Sequence, residues 1–179
     1  AKQPRGRRTF RFSESLKPFS TPPLGAPGAG LPLRARRRTS GSMSTTRQLL
    51  EAYYGAFNAG DREGLLALLT DDVVHDVNQG PREIGKEAFR AFLARMDASY
   101  EEQITELAYL TSEDGSRAAS EYVVLGKYLR TDEGLPEAKG QTYRLPGGAF
   151  FEIVGGKIAR VTNYYNLEDW LRQVRSSGT

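Results

Sequence analysis

At Tyr100 the spacing of apolar residues changes from helical to alternating, and that change limits the chain to few folds. Before it, Leu49, Tyr53 and Ala56 recur at helical spacing, with Leu50, Tyr54 and Phe57 as a second stripe beside them. Thr45-Thr46-Arg47-Gln48 reads as a capping box, and Asn58-Ala59-Gly60 stops the helix. Asp61 is placed to cap a second helix carrying Leu65, Leu66, Leu68 and Leu69, which Asp71-Asp72 ends. Val73 to Val77 reads as a short strand, followed by a polar turn at Asn78-Gln79-Gly80-Pro81. A third helix is predicted from about Lys86 to Ala98, with Phe89, Phe92, Leu93 and Met96 on one side.

Beyond Tyr100 the predicted strands are Ile104–Thr111, Arg117–Leu129, Gln141–Val154 and Lys157–Asn166. Pro146-Gly147-Gly148 predicts a bend or bulge in the third of these, and Gly155-Gly156 a tight hairpin. Residues 131–140 form a polar excursion, and Leu167 to Val174 a closing helical turn anchored by Trp170. Helices first and a meander after them predict an α+β fold, with helices covering one face of a curved antiparallel sheet.

Several stretches carry a family likeness. They are Tyr53 to Asp61, Leu68 to Asp76, Gly85 to Phe89, Phe150 to Ile153, Gly156 to Ile158 and Tyr164 to Asn166. In these and in its order of elements the chain resembles the nuclear transport factor 2-like superfamily, and within it SnoaL-like and ketosteroid-isomerase-related proteins. The likeness spans 45–174. It implies a conical barrel with an apolar pocket between helices and sheet, and a homodimer formed through the open sheet face. It also implies that Tyr53 donates a hydrogen bond to a substrate oxygen and that Asp76 moves the proton. The second oxyanion donor of the steroid isomerases has no counterpart, because Gly148 and Ala149 stand in its place.

Other residues are candidates for binding substrate. His75 is the one side chain whose ordinary pKa lies near neutrality. It neighbours Asp76, and adjacent strand residues face opposite sides, so at most one of the two points into the pocket. Glu121 shares a strand face with Ala119, Val123 and Leu125. It reads either as a buried acid with a raised pKa or as a partner of Arg144 or Lys127. Asn163 and Tyr165 share a face of the last strand and suit a pocket wall.

Composition narrows the chemistry. There is no cysteine and one histidine, which excludes disulfides, thiolate nucleophiles and Cys- or His-pair metal sites. No cofactor or metal is expected. Gly80 to Lys86 has the spacing of a phosphate-binding loop, but Glu87 follows where a magnesium-binding hydroxyl is needed, and nucleotide binding is rejected. No apolar run approaches the ~20 residues of a membrane span, and no recognition fold accompanies the basic runs, so neither membrane nor nucleic acid is expected as a partner.

Residues 1–42 carry ten Lys/Arg against one acid, Glu14. Such a segment buries too little apolar surface to offset its chain entropy, and disorder is expected. It reads as upstream sequence before Met43, as a transit peptide, as an expression remnant or as a basic arm. Residues 43–179 are expected to form the SnoaL-like domain, cytoplasmic, or organellar if the tail is a transit peptide.

Two functions follow as expectations. One is a cofactor-independent isomerase or cyclase that transfers a proton next to a carbonyl of a hydrophobic, steroid- or polyketide-like molecule. The other is a domain of the same fold that binds a hydrophobic ligand or dimerises without catalysis.

Overall fold

The computed structural model describes residues 40–77 and 80–176, with side chains from Thr45 onward. The expected tail lies almost wholly outside the described residues. Four helices and six strands follow in the order α1 (Ser40–Asn58), α2 (Arg62–Ala67), β1 (Leu69–Asp76), β2 (Arg82–Ile84), α3 (Lys86–Ser99), β3 (Tyr100–Thr111), β4 (Arg117–Tyr128), β5 (Thr142–Val154), β6 (Lys157–Tyr165) and α4 (Leu167–Ser176).

Local chemistry accounts for most boundaries. Asp61 caps α2 by accepting from the Gly64 N–H at 2.8 Å. Gly155 and Gly156 turn the β5–β6 hairpin at φ of 58° and 76°, a region that disfavours side chains. Three expectations are corrected. The predicted capping box is interior to α1, and the Thr46 hydroxyl instead donates to the Gly115 carbonyl at 2.9 Å. Asp71 and Asp72 do not end α2 but lie within β1, and Arg82–Ile84 is a short edge strand. The expected break at Pro146-Gly147-Gly148 is absent: β5 pairs with β4 without a shift from Arg117↔Glu152 to Lys127↔Thr142. Pro146 is tolerated because β6 ends opposite Gly147, leaving it beyond that ladder. Register shifts fall elsewhere: in β3 between Thr105 and Ala108, where Glu106 takes a φ of 54°, between β5 and β6 at Glu152 and Ile153, and between β1 and β6 from Leu69 to Val74.

The strands form one curved sheet in the order β2-β1-β6-β5-β4-β3. All pairs are antiparallel except β1 with β6, where the first strand closes parallel on the last. Helix α1 lies against β3, α3 against β1 and β2, and α4 against β5. Asn58 ties the end of α1 to β3: its side chain donates to the Ile104 carbonyl and accepts from the Ile104 N–H, at 2.9 and 2.8 Å.

The core packs between helices and sheet. Leu50, Leu65, Phe89, Leu69, Phe151, Ile158 and Val161 are at most 1% exposed. Each such side chain contributes roughly 1.5–3 kcal/mol of burial. Trp170 of α4 meets Tyr128, Tyr143 and Tyr100 edge-on, at 5.2, 5.9 and 6.3 Å between ring centroids. The predicted closing helix thus anchors the sheet through the residue the sequence singles out.

Candidate active site

Alternation along the strands sorts polar groups onto two faces of the sheet. On the inner face Glu102, Gly126 and Tyr143 stand in one row across β3, β4 and β5. Gly126 has no side chain, so the Tyr143 ring lies over it and its hydroxyl donates to Glu102 Oε1 at 2.5 Å. A Cβ at Gly126 would overlap that ring. The device repeats one step on. A Cβ at Gly147 would lie 2.8 Å from Tyr122 Cε2, and the Tyr122 hydroxyl donates to Asn163 Oδ1 at 3.3 Å.

Two tyrosines of α1 pack on the same face of the sheet. Tyr54 shares a short hydrogen bond with Ser120 of β4. Tyr53 packs edge-on against Tyr54 and Phe151, 5.2 and 5.7 Å between ring centroids. Its residue is 7% exposed, and among the described residues no hydrogen-bond partner of its hydroxyl is found. Burial raises the pKa of Tyr53, Tyr54 and Tyr122, so all three hydroxyls keep their protons at neutral pH.

Glu102 is the carboxylate that joins this group. Protein encloses it, and that desolvation raises its pKa, against the Tyr143 hydrogen bond and the nearby Arg62, which both lower it. Part of its surface nevertheless stays accessible. Glu102 in turn raises the pKa of Tyr122, Tyr143 and Tyr165, after burial itself. Sequence reasoning passed over it because Glu101-Glu102-Gln103 reads as a solvated run. Its register opposite Gly126 is the signal that separates it from its neighbours.

The other predicted residues fall in three places. His75 points inward and is 2% exposed, with its ring 4.8 Å from Phe89 and 4.4 Å from Phe92, centroid to centroid. Its Nδ1 lies 3.5 Å from Glu83 Oε2, directly across the β1–β2 ladder. Both atoms are buried without a hydrogen bond. Burial lowers the His75 pKa, more than the Glu83 and Asp76 carboxylates raise it, so the ring is neutral near pH 7. Asn163 and Tyr165 do share the inner face, with Tyr165 39% exposed.

Asp76 and Glu121 take the other face. Asp76 accepts from Arg82 at 2.6 Å and from the Thr162 hydroxyl at 3.1 Å, with Arg160 3.6 Å away. The Arg82 and Thr162 hydrogen bonds hold its carboxyl below the usual range. Asp76, expected to move the proton, is thus turned outward by alternation where His75 turns in, and Arg82 and Thr162 bind its carboxylate. Glu121 is exposed beside Ala108 and Gly148. Its expected partner Arg144 pairs with Glu106 instead, at 2.7 Å.

Two open grooves are also present. One of about 400 Å³ lies on the outer face, lined by Glu101, Gln103, Leu125, Lys127 and Thr142 among others. The other, about 550 Å³, lies between the start of α1 and the β3–β4 and β5–β6 turns. Neither is lined by Tyr53, Glu102 or His75. Among the described residues no group of three or more His, Cys, Asp or Glu could hold a metal, and no helix is long and apolar enough to cross a membrane.

A curved sheet wrapped by its N-terminal helices, with polar groups converging inside, defines a nuclear transport factor 2-like protein. The sequence profile of the SnoaL-like domain matches residues 50–161, and the chain belongs to that family. Comparison with curated proteins finds no match. Among solved structures, a proposed polyketide cyclase of Xanthomonas campestris pv. campestris is 54% identical, with a TM-score of 0.73 over 75% of this chain and 99% of that one. A proposed polyketide cyclase of Pseudomonas putida KT2440 is 57% identical, with a TM-score of 0.71 over 72% and 97%. A third, from Silicibacter sp. TM1040, is 50% identical, with a TM-score of 0.72 over 74% and 96%.

Proposed function

We propose that this protein is a cofactor-independent isomerase or cyclase that moves a proton next to a carbonyl of a hydrophobic small molecule. The observation that carries the reading is the Tyr53 hydroxyl, which faces the cone interior, stays protonated and has no partner among the described residues. A donor that no protein group uses is free to bind an acceptor, and a carbonyl oxygen that gains charge as a proton leaves its neighbouring carbon is such an acceptor. The Asn163 amide, whose oxygen accepts from Tyr122, offers its N–H groups as further donors on the same face. The likeness to proposed polyketide cyclases supports the same class of substrate.

The reading is tested by incubating the protein with small unsaturated ketones in deuterium oxide and following exchange next to the carbonyl. Exchange faster than in buffer, reduced about a hundredfold or more in Tyr53→Phe, is expected from loss of one oxyanion donor. Exchange no faster than buffer with every ketone rejects catalysis.

One observation favours the second reading, a ligand-binding or dimerisation domain without catalysis: Gly148 and Ala149 offer no side-chain donor where steroid isomerases have one. The outer face also suits a homodimer in either case, because Leu110, Leu125, Phe150 and Tyr164 are 45–61% exposed on it.

A further inference from the structure

We propose that Glu102 is the residue that moves the proton, and that Tyr143, reaching it across Gly126, is its positioning residue. The inference rests on the proton-transfer reading above and supplies a base on the inner face, where Asp76 does not lie.

Four other carboxylates stand apart from the row of Glu102, Gly126 and Tyr143. Asp76 is held by Arg82 and Thr162 on the outer face, and Glu121 is exposed there. Glu83 faces His75 beneath α3. Asp132 accepts from the Tyr100 hydroxyl at 3.2 Å. Glu102 alone stands on the inner face in the row that also holds Tyr143, one strand from Tyr122. It is enclosed by protein yet retains accessible surface. One oxygen, Oε1, receives the Tyr143 hydrogen bond, and no protein donor is found for the other among the described residues.

The step balances without a co-reactant. Ionised Glu102 takes a proton from the carbon next to the carbonyl, so a C–H bond breaks and an O–H bond forms. The C–H electron pair becomes the carbon–carbon double bond of the enolate, and the carbonyl π pair moves onto oxygen, where Tyr53 donates. The carboxylic acid then returns the proton to the far carbon of the conjugated system. The double bond has moved, the carboxylate is regenerated, and nothing is oxidised or reduced. A carboxylate made more basic by burial suits this work, since a base acts best with a pKa nearer the working pH. Tyr143 opposes that shift and fixes the carboxylate in one orientation, which makes it a tuning as well as a positioning group.

The test uses the full chain with small β,γ-unsaturated cyclic ketones, following isomerisation by absorbance and proton exchange by NMR. Glu102→Gln is expected to cut kcat by about 10²–10⁴ with KM little changed, the usual share of a general base. Tyr143→Phe is expected to keep measurable turnover but to move the acid limb of the pH–rate profile to higher pH, because the ionised carboxylate loses a donor. In parallel, the ¹³C carboxyl signal absent from Glu102→Gln is titrated in the wild type, a readout that needs no turnover. It should titrate above the ordinary glutamate range, and higher still in Tyr143→Phe. Should Glu102→Gln not fold, Glu102→Asp and Tyr143→Phe carry the same comparison. A wild type that turns over while Glu102→Gln keeps its rate within about threefold overturns Glu102 and leaves the proposed function standing. An ordinary titration midpoint for Glu102 also overturns it. A wild type without turnover overturns both.

Discussion

Tyr143 reaches Glu102 only because residue 126, which lies between them on the middle strand, is glycine. The hydroxyl–carboxylate distance is 2.5 Å, and the ring that spans it is also an anchor for Trp170. A polar contact and a core contact thus depend on the same missing side chain.

Gly126→Ala should therefore destabilise the fold rather than relieve chain entropy. The new methyl meets a buried ring, not the end of a flexible chain, so the cost expected is about 1–3 kcal/mol, as for other overpacked cores. Thermal melting of the variant against wild type measures it. Tyr143→Phe alone should cost less, because it keeps the ring and removes one hydrogen bond worth about 1 kcal/mol.

Acidification should weaken the protein through His75. Its folded pKa is below the ordinary value of 6.5. Its contribution to stability is therefore complete above pH 6.5 and is lost as pH falls from there through the folded value, because the unfolded chain binds the proton first. Urea unfolding at pH 7.5 and 5.0 should show a larger loss for wild type than for His75→Phe. The chain has one histidine, so its NMR titration is unambiguous, and a midpoint at or above 6.5 would contradict the burial seen here.

Asp76→Asn should leave turnover within about threefold, since its side chain lies on the outer face in partly exposed ion pairs. The stability cost should be no more than about 1 kcal/mol, the usual size for such pairs. A loss of activity comparable to that of Glu102→Gln would return the base to Asp76. The depressed pKa of Asp76 adds stability that is present above its ordinary value of 3.8 and disappears as pH falls through the folded value.

Phe150→Lys should shift the protein from dimer to monomer in sedimentation, with the far-ultraviolet spectrum unchanged. Phe150 is 51% exposed and meets Tyr164 edge-on at 5.8 Å, forming an apolar patch on the outer face. A wild type that sediments as a monomer at micromolar concentration would remove this reading.

Local chemistry alone settled the class of fold and most of its boundaries. Helical spacing before Tyr100, alternation after it, Asp61 as a cap and Gly155-Gly156 as a hairpin are properties of neighbouring residues, and such properties are written in order along a chain. Alternation also established that His75 and Asp76 face opposite ways. It could not say which faces in, because that depends on α3 laying Phe89 and Phe92 over one face of β1. The parallel closure of β1 on β6, and the row that sets Glu102 beside Gly126 and Tyr143, join residues far apart in sequence. Register between distant strands follows from how the whole core fills, so only the tertiary structure decided which carboxylate stands inside the cone.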